Sequence, residues 1–285
     1  MTDSMNALQA AVLGVVEGLT EFLPVSSTGH LTIVESLLGL KVDDDGVTAF
    51  TAVIQVGAIL AVILFFRAEI IRMVTAVVRG IRDPEERRSL DFRLAMYVVA
   101  GTIPAGIIGL AAQKLVEGPL RSLYIVGASL VIWSGAMWWA EKHGRQERGE
   151  AQLTLRDGVV VGLSQVLAVL FPGVSRSGAT ISTALWLGVD RVAATRLSFF
   201  LAIPILLAAG VLELPKALHP AADATQIGAG NLLIGTVVSF AVGYAAVAWL
   251  LRFVASNSIA KFVPYRVVVG VVVLVSVAAG WIDAT

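Results

Sequence analysis

Six stretches of this 285-residue chain are long and apolar enough to cross a bilayer, and four more are too short or too interrupted to do so. A spanning helix needs about 20 apolar residues. Roughly 47–66, 92–112, 123–140, 192–212, 231–251 and 262–282 qualify, the fourth despite Arg196, which lies near its start and can snorkel to the interface. The whole chain is 57% hydrophobic and only 15% charged, with a mean hydropathy of +0.83, which excludes an ordinary soluble domain. The formal net charge is zero, so no global basic field invites nucleic acid, and there is no cysteine. Disulfides, thiolate metal sites and cysteine nucleophiles are thereby excluded. The first six residues lack a basic segment and the apolar run behind them carries Glu17 and Glu21, so a cleaved signal peptide is not expected.

The four short pieces, about 7–23, 31–40, 158–171 and 179–189, form two pairs, each split by a polar motif. Short helix, Pro/Gly/Ser break and second short helix describe a re-entrant hairpin that enters and leaves on one side. Irregular backbone at membrane depth survives only where protein or a water-filled cavity satisfies it. The alternative is a pair of amphipathic surface helices flanking each loop.

Placing Pro24 on Pro172 aligns Gly14, Glu17 and Leu19 with Gly162, Gln165 and Leu167. Each half then holds one hairpin and three spans, and an odd number of spans turns the halves in opposite directions. The fold expected is an all-α polytopic membrane protein, one integral-membrane domain over residues 1–285. It is built of two inverted repeats at about 1–142 and 150–285, each one re-entrant helix hairpin plus three transmembrane helices. Such repeats place their site near the midplane, between broken helices.

Basic residues set the orientation. Arg67, Arg72, Arg79, Arg82, Arg87, Arg88 and Arg93 fall between the first two spans, and the run from Arg79 to Arg93 reads as a cytoplasmic loop near anionic headgroups. Lys142, Arg145, Arg148 and Arg156 follow the third span, Arg191 and Arg196 open the fourth, and Arg252, Lys261 and Arg266 follow the fifth. The other side carries only Lys41, Lys114, Arg121 and Lys216. The positive-inside rule puts both termini and the first hairpin outside, with the second hairpin entering from the cytoplasm.

The motifs carry the chemistry. Glu17 and Glu21 are four apart on one helical face; the pair can hold a divalent metal, orient His30 or shuttle a proton. Ser26, Ser27, Thr28, Gly29 and His30 precede one half-helix, as Ser175, Arg176, Ser177, Gly178 and Thr180 precede the other. Hydroxyls and glycine at a helix start leave backbone N–H groups and the positive dipole end free for an anion, and Arg176 adds a planar fork suited to phosphate. His143 and His219, in polar loops, read as solvated.

The first motif, Glu17-x-x-x-Glu21 leading into Pro24-Val-Ser26-Ser27-Thr28-Gly29-His30, resembles a signature of the undecaprenyl-diphosphate phosphatase (bacitracin-resistance) family. The second, Pro172-Gly-Val-Ser175-Arg176-Ser177-Gly178-Ala179-Thr180, is similar to that family's other signature, and Phe199, Pro204 and Tyr265-Arg266 also fit its pattern. The resemblance implies a bacterial inner-membrane enzyme that hydrolyses undecaprenyl diphosphate to undecaprenyl phosphate and inorganic phosphate, recycling a cell-wall lipid carrier and countering bacitracin. It also implies a site facing the periplasm, dependence on a divalent cation such as Mg²⁺ or Ca²⁺, and a homodimer.

On that footing Arg176, with Ser175, Ser177, Thr180 and the N–H groups of both hairpin tips, binds the diphosphate. Ser27 is the first choice of nucleophile, activated by His30 or a carboxylate, while Glu17 and Glu21 hold the metal or manage protons. The rival mechanism makes His30 the nucleophile and Ser27 a ligand. A lipid-phosphate or anion transporter would share the architecture but has little use for Ser27, His30 and two glutamates.

Overall fold

The computed structural model describes residues 4–42, 44–116 and 122–282, with the side chains of 112–116 left aside. The Lys114 side chain, Arg121 and residues 1–3, which bear on the expected orientation and signal peptide, lie outside what the structure describes. The chain folds into helices α1 (Ala7–Thr20), α2 (Ser27–Leu37), α3 (Asp45–Phe65), α4 (Arg67–Gly80), α5 (Leu90–Val116), α6 (Leu123–His143), α7 (Leu155–Leu170), α8 (Arg176–Trp186), α9 (Arg191–Leu218), α10 (Ala229–Ser256) and α11 (Val263–Ala278). Among the described residues there are no strands, only two isolated bridges.

Six segments are long and apolar enough to span a membrane: Asp45–Phe65, Leu90–Ala111, Leu123–His143, Arg191–Leu218, Ala229–Ser256 and Ile259–Ala278. They coincide with the six expected from apolar run length. Their outer faces carry exposed Ile107, Ile132, Val237 and Val268, as lipid contact requires. Local chemistry sets the helix starts. Asn6 and Gln9 form a capping box on α1, Thr154 and Asp157 one on α7, and Asp44 and Asp190 cap α3 and α9. Pro104 in α5 and Pro204 and Pro215 in α9 are the kind of helix interruption that packing inside a bundle tolerates.

The two pairs of short helices are hairpins: α1 turns into α2, and α7 into α8. Each packs on the other half of the chain or on the spans flanking it. The α1 helix lies along α10, and α7 lies along α5. Glycines set both approaches: a Cβ at Gly14 would come within 2.6 Å of the Gly235 carbonyl oxygen, and one at Gly162 within 2.3 Å of Gly101 Cα. The core between them centres on α3 and α9, where Phe22 from the first hairpin tip meets Phe199 edge-on at 5.3 Å.

The basic run expected as a loop, Arg79 to Arg93, follows from the end of helix α4, which buries Met73 and Ala76, leaves Ile71, Val74 and Val78 exposed, and is tethered through Arg72–Asp91 at 3.3 Å. Arg196 sits 2.5 Å from Glu150 and 3.8 Å from Glu69, over the rings of Phe66 and Phe200. Arg266 is no loop charge at all; it is wholly buried in the first turns of α11.

Candidate active site

Both hairpins turn in the same way. In the first, Ser26 adopts φ = 78° and caps α2, its Oγ accepting from Gly29 N–H at 3.2 Å. In the second, Ser175 adopts φ = 74° and caps α8, its Oγ accepting from Gly178 N–H at 3.1 Å. A non-glycine residue held at positive φ costs on the order of 1–3 kcal/mol and persists only where its surroundings enforce it. Just before Ser175, Gly173 takes φ = 104°, open to glycine because it has no Cβ. The caps direct the unpaired first N–H groups of α2 and α8 out of their helices.

The tips meet. Ser177 Oγ donates to the Leu23 carbonyl at 2.9 Å, and Arg176 reaches across to Glu21 with Nε and Nη2, each 3.3 Å from Oε1. Arg176 Nη1 donates to the Ser198 carbonyl of α9 at 3.0 Å. The second oxygen of Glu21 accepts a short hydrogen bond from Ser27 Oγ. One carboxylate thus joins the hydroxyl of one hairpin to the guanidinium of the other, with Glu21, Ser27 and the Arg176 side chain all largely shielded from solvent.

A cavity of about 180 Å³ opens onto these groups, lined by Glu21, Ser26, Ser27, Thr28, Ser175 and Arg176 on its polar side and by Ala168, Val169, Ile205 and Leu206 on its apolar side. Gln55 of α3 and Gln165 of α7 complete the wall. Larger hollows exist elsewhere, one of about 480 Å³ among Trp133, Trp139 and Trp186 and an apolar one of about 490 Å³ between α4, α5 and α9. Neither holds the buried charges, so the smaller cavity is the candidate site.

The remaining motif residues fall around it. Glu17 is fully buried one turn before Glu21, and neither of its oxygens receives a hydrogen bond. His30 faces away from Ser27: Nδ1–H donates to the Ser26 carbonyl at 2.7 Å, and Nε2 accepts from the Tyr265 hydroxyl at 2.7 Å, with the two rings stacked at 5.6 Å. Thr180 is buried against Arg176 and Ser198, 2.7 Å from Ser198 Oγ, and braces α8 on α9. Gly29 and Gly178 act through their N–H groups in the caps.

No group of three or more His, Asp or Glu side chains converges as a metal site among the described residues. The groups that could hold a cation are the Glu17 and Glu21 carboxylates. Two orphaned buried oxygens on Glu17 suit a hard divalent ion.

Sequence reading overlooked Gln55 and the Ser198 carbonyl, and it named Gln165 and Tyr265-Arg266 only as pattern matches. Arg266 could have been found by the rule that singled out Arg176, since it too interrupts an apolar stretch.

Residues 10–272 match the family model described as bacitracin resistance protein BacA. The chain is similar to undecaprenyl-diphosphatase 1 of Streptomyces coelicolor, at 58% identity over 92% of this chain and 93% of that protein. It is similar to undecaprenyl-diphosphatase 1 of Streptomyces avermitilis at 56%, over 95% and 96%. The undecaprenyl-diphosphatase of Cutibacterium acnes is 48% identical, over 95% and 96%.

Proposed function

This chain belongs to the bacitracin resistance protein BacA family, and we infer that it is an undecaprenyl-diphosphatase, a multi-pass membrane enzyme that releases inorganic phosphate from undecaprenyl diphosphate. The observation that carries the mechanism is the Ser27–Glu21–Arg176 chain at the meeting of the two hairpins.

Without substrate, Arg176 neutralises Glu21. An entering diphosphate offers the guanidinium more charge and better fork geometry, so Arg176 transfers to the terminal phosphate and leaves the Glu21 carboxylate free to accept a proton. Ser27 Oγ attacks the terminal phosphorus in line as its proton passes to Glu21. The new P–O bond forms while the anhydride P–O bond breaks, and its electron pair leaves on the oxygen of undecaprenyl phosphate. Water then attacks the phosphoserine, inorganic phosphate departs, and Glu21 returns the proton to Ser27. Arg176 and the free N–H groups at the starts of α2 and α8 stabilise the charge that develops on the transferred group. A divalent cation held by Glu17 and Glu21 would supply further charge neutralisation at the phosphates.

What supports Ser27 over His30 as nucleophile is its bond to a carboxylate; both ring nitrogens of His30 are already engaged. His30 holds the Ser26 carbonyl and so braces the tip. The apolar wall of Ala168, Val169, Ile205 and Leu206 receives the first isoprene units, and the rest of the prenyl chain runs between spans into lipid.

The two halves, about 1–142 and 150–285, are inverted repeats. Supporting this are the matched serines at φ 78° and 74° and the reciprocal glycine contacts of α1 on α10 and α7 on α5. The site faces the periplasmic side of the inner membrane, with both termini outside, as the arginine-rich segments around α4 argue.

The test is phosphate release from undecaprenyl diphosphate by purified protein in detergent, with and without chelator, beside Ser27→Ala and Arg176→Ala. Release that both substitutions abolish supports the reading. No release from folded protein supplied with Mg²⁺ or Ca²⁺ overturns it.

A further inference from the structure

Among the described residues, Arg266 is the bulkiest side chain wholly closed off from solvent, and none of their ion pairs includes it. Every acceptor it meets is neutral. Nη1 donates to the Pro24 carbonyl at 2.9 Å, Nη2 to the carbonyls of Gly173 at 2.9 Å and Val174 at 3.2 Å, and Nε to Ser134 Oγ of α6 at 3.1 Å. Pro24 belongs to the first hairpin tip, Gly173 and Val174 to the second, and Gly173 also lines the cavity. One planar fork therefore ties both turns together from behind.

A buried cation without an anionic partner is costly, and uncharged donors could satisfy those carbonyls more cheaply. The charge has a use if an anion comes to the other side of the turns. Three carbonyls of irregular backbone would otherwise stand with their negative ends unpaired beside a diphosphate.

We propose that Arg266 is a positioning residue for the phosphoryl transfer: it fixes the two hairpin tips in register, so that Ser27 and Arg176 address the same phosphorus, and adds an uncompensated positive charge behind the site. It does not touch the substrate. The inference rests on the phosphatase reading above. The adjacent Tyr265 acts on the same tip through His30, so the start of α11 addresses the first hairpin twice.

The experiment compares the full-length wild type with Arg266→Lys and Arg266→Ala in detergent, reading kcat and KM for phosphate release from undecaprenyl diphosphate together with the unfolding midpoint of each. Arg266→Lys keeps the charge and loses the fork, which is not a conservative change at such a site. For Arg266→Ala, kcat falls about 100-fold with KM within about threefold of wild type, the size expected of a small misplacement of reacting groups. For Arg266→Lys, kcat falls about tenfold, and added guanidinium restores part of the alanine variant's rate but none of Arg176→Ala's. Folded variants that keep the wild-type kcat overturn the proposal. So does a loss of rate that only tracks the loss of folded protein. Should Arg266→Ala not fold, Arg266→Lys and Ser134→Ala carry the test, the latter expected to lower kcat a few-fold. A wild type that releases no phosphate overturns the phosphatase reading itself, a result no Arg266 variant can mimic.

Discussion

Arg176 holds Glu21 at 3.3 Å across 155 positions of sequence, binding the second hairpin to the first through a pair of buried charges. Breaking such a pair by removing one partner strands the other, at a cost of about 3–5 kcal/mol where both are fully buried. On the proposed mechanism, the contact that ties the two hairpins together is the one substrate displaces. Arg176→Ala is expected to lower both the unfolding midpoint and kcat. Arg176→Ala/Glu21→Gln is expected to recover much of the midpoint and none of the activity. Thermal unfolding and phosphate release on the same preparations check this, and a double variant no more stable than Arg176→Ala would remove the pairing argument.

Ser27→Ala should abolish turnover while leaving the fold intact, since Ser27 spends its hydroxyl on Glu21 and on no other described group. Removing a nucleophile costs on the order of 10⁴–10⁶ in kcat. Acid quenching of wild type during turnover should trap a base-labile phosphoserine at residue 27. An acid-labile, base-stable adduct at His30 would overturn the assignment.

Glu17→Gln keeps the size of the side chain and removes one of the two carboxylates suited to a hard cation. The Mg²⁺ or Ca²⁺ concentration giving half-maximal phosphate release should rise about tenfold or more, the scale on which loss of a metal-supporting group is felt. Direct titration of cation binding by calorimetry gives a reading independent of turnover. Unchanged cation dependence would assign Glu17 to proton handling.

Arg148 and Asp157 offer a pH test away from the site. Burial pushes the Asp157 carboxyl up, but hydrogen bonds from Arg148, 2.5 Å away, and from Thr154 outweigh it and hold Asp157 below the usual carboxylate range. A carboxyl depressed in the folded state adds stability that is fully present above its unfolded value, about 3.9, and is lost as pH falls through its folded value. Arg148→Met should cost about 2 kcal/mol at pH 7, less than a wholly buried pair because Arg148 keeps solvent contact. The gap to wild type should shrink as pH falls below about 4. Unfolding midpoints from pH 7 to pH 3 decide it, and a gap constant with pH would show that the charge pair is not its source.

Gly162 touches the backbone of Gly101, so Gly162→Ala must spread α7 from α5. Overpacking of this kind costs about 1–3 kcal/mol. Gly106→Ala, with nothing within 4 Å of the added carbon, should be neutral or stabilising by up to about 1 kcal/mol, as expected inside a helix. Equal midpoints for the two variants would contradict the close approach.

The six spans and the two broken pairs were legible because a membrane makes apolar run length a nearly sufficient signal, and each motif carries its own breakers. Glu17, Glu21, Ser27 and Arg176 stood out for the same reason, as polar groups where lipid forbids them. Other features were not legible. Helix α4 mixes arginines with valines at helical spacing, and its packing shows only once Met73 and Ala76 are seen to be buried. Arg266 counted as a topology signal because its burial depends on two turns that lie 242 and 93 positions away in sequence.

The sequence by itself determined where the chain crosses the membrane, where it breaks, and which polar groups it carries to that depth, because hydropathy and turn chemistry act over neighbouring residues. Only the tertiary structure decided that Glu21, not His30, takes the Ser27 hydrogen bond, that His30 turns to Tyr265, and that Arg266 stands behind both tips. Those pairings are fixed by the packing of α1 on α10, α7 on α5 and the α11 start against both hairpins. The His30–Tyr265 and Arg266 pairings arise between segments far apart in the chain, which no local pattern of residues encodes, and the Ser27–Glu21 bond closes inside a tip that those contacts hold.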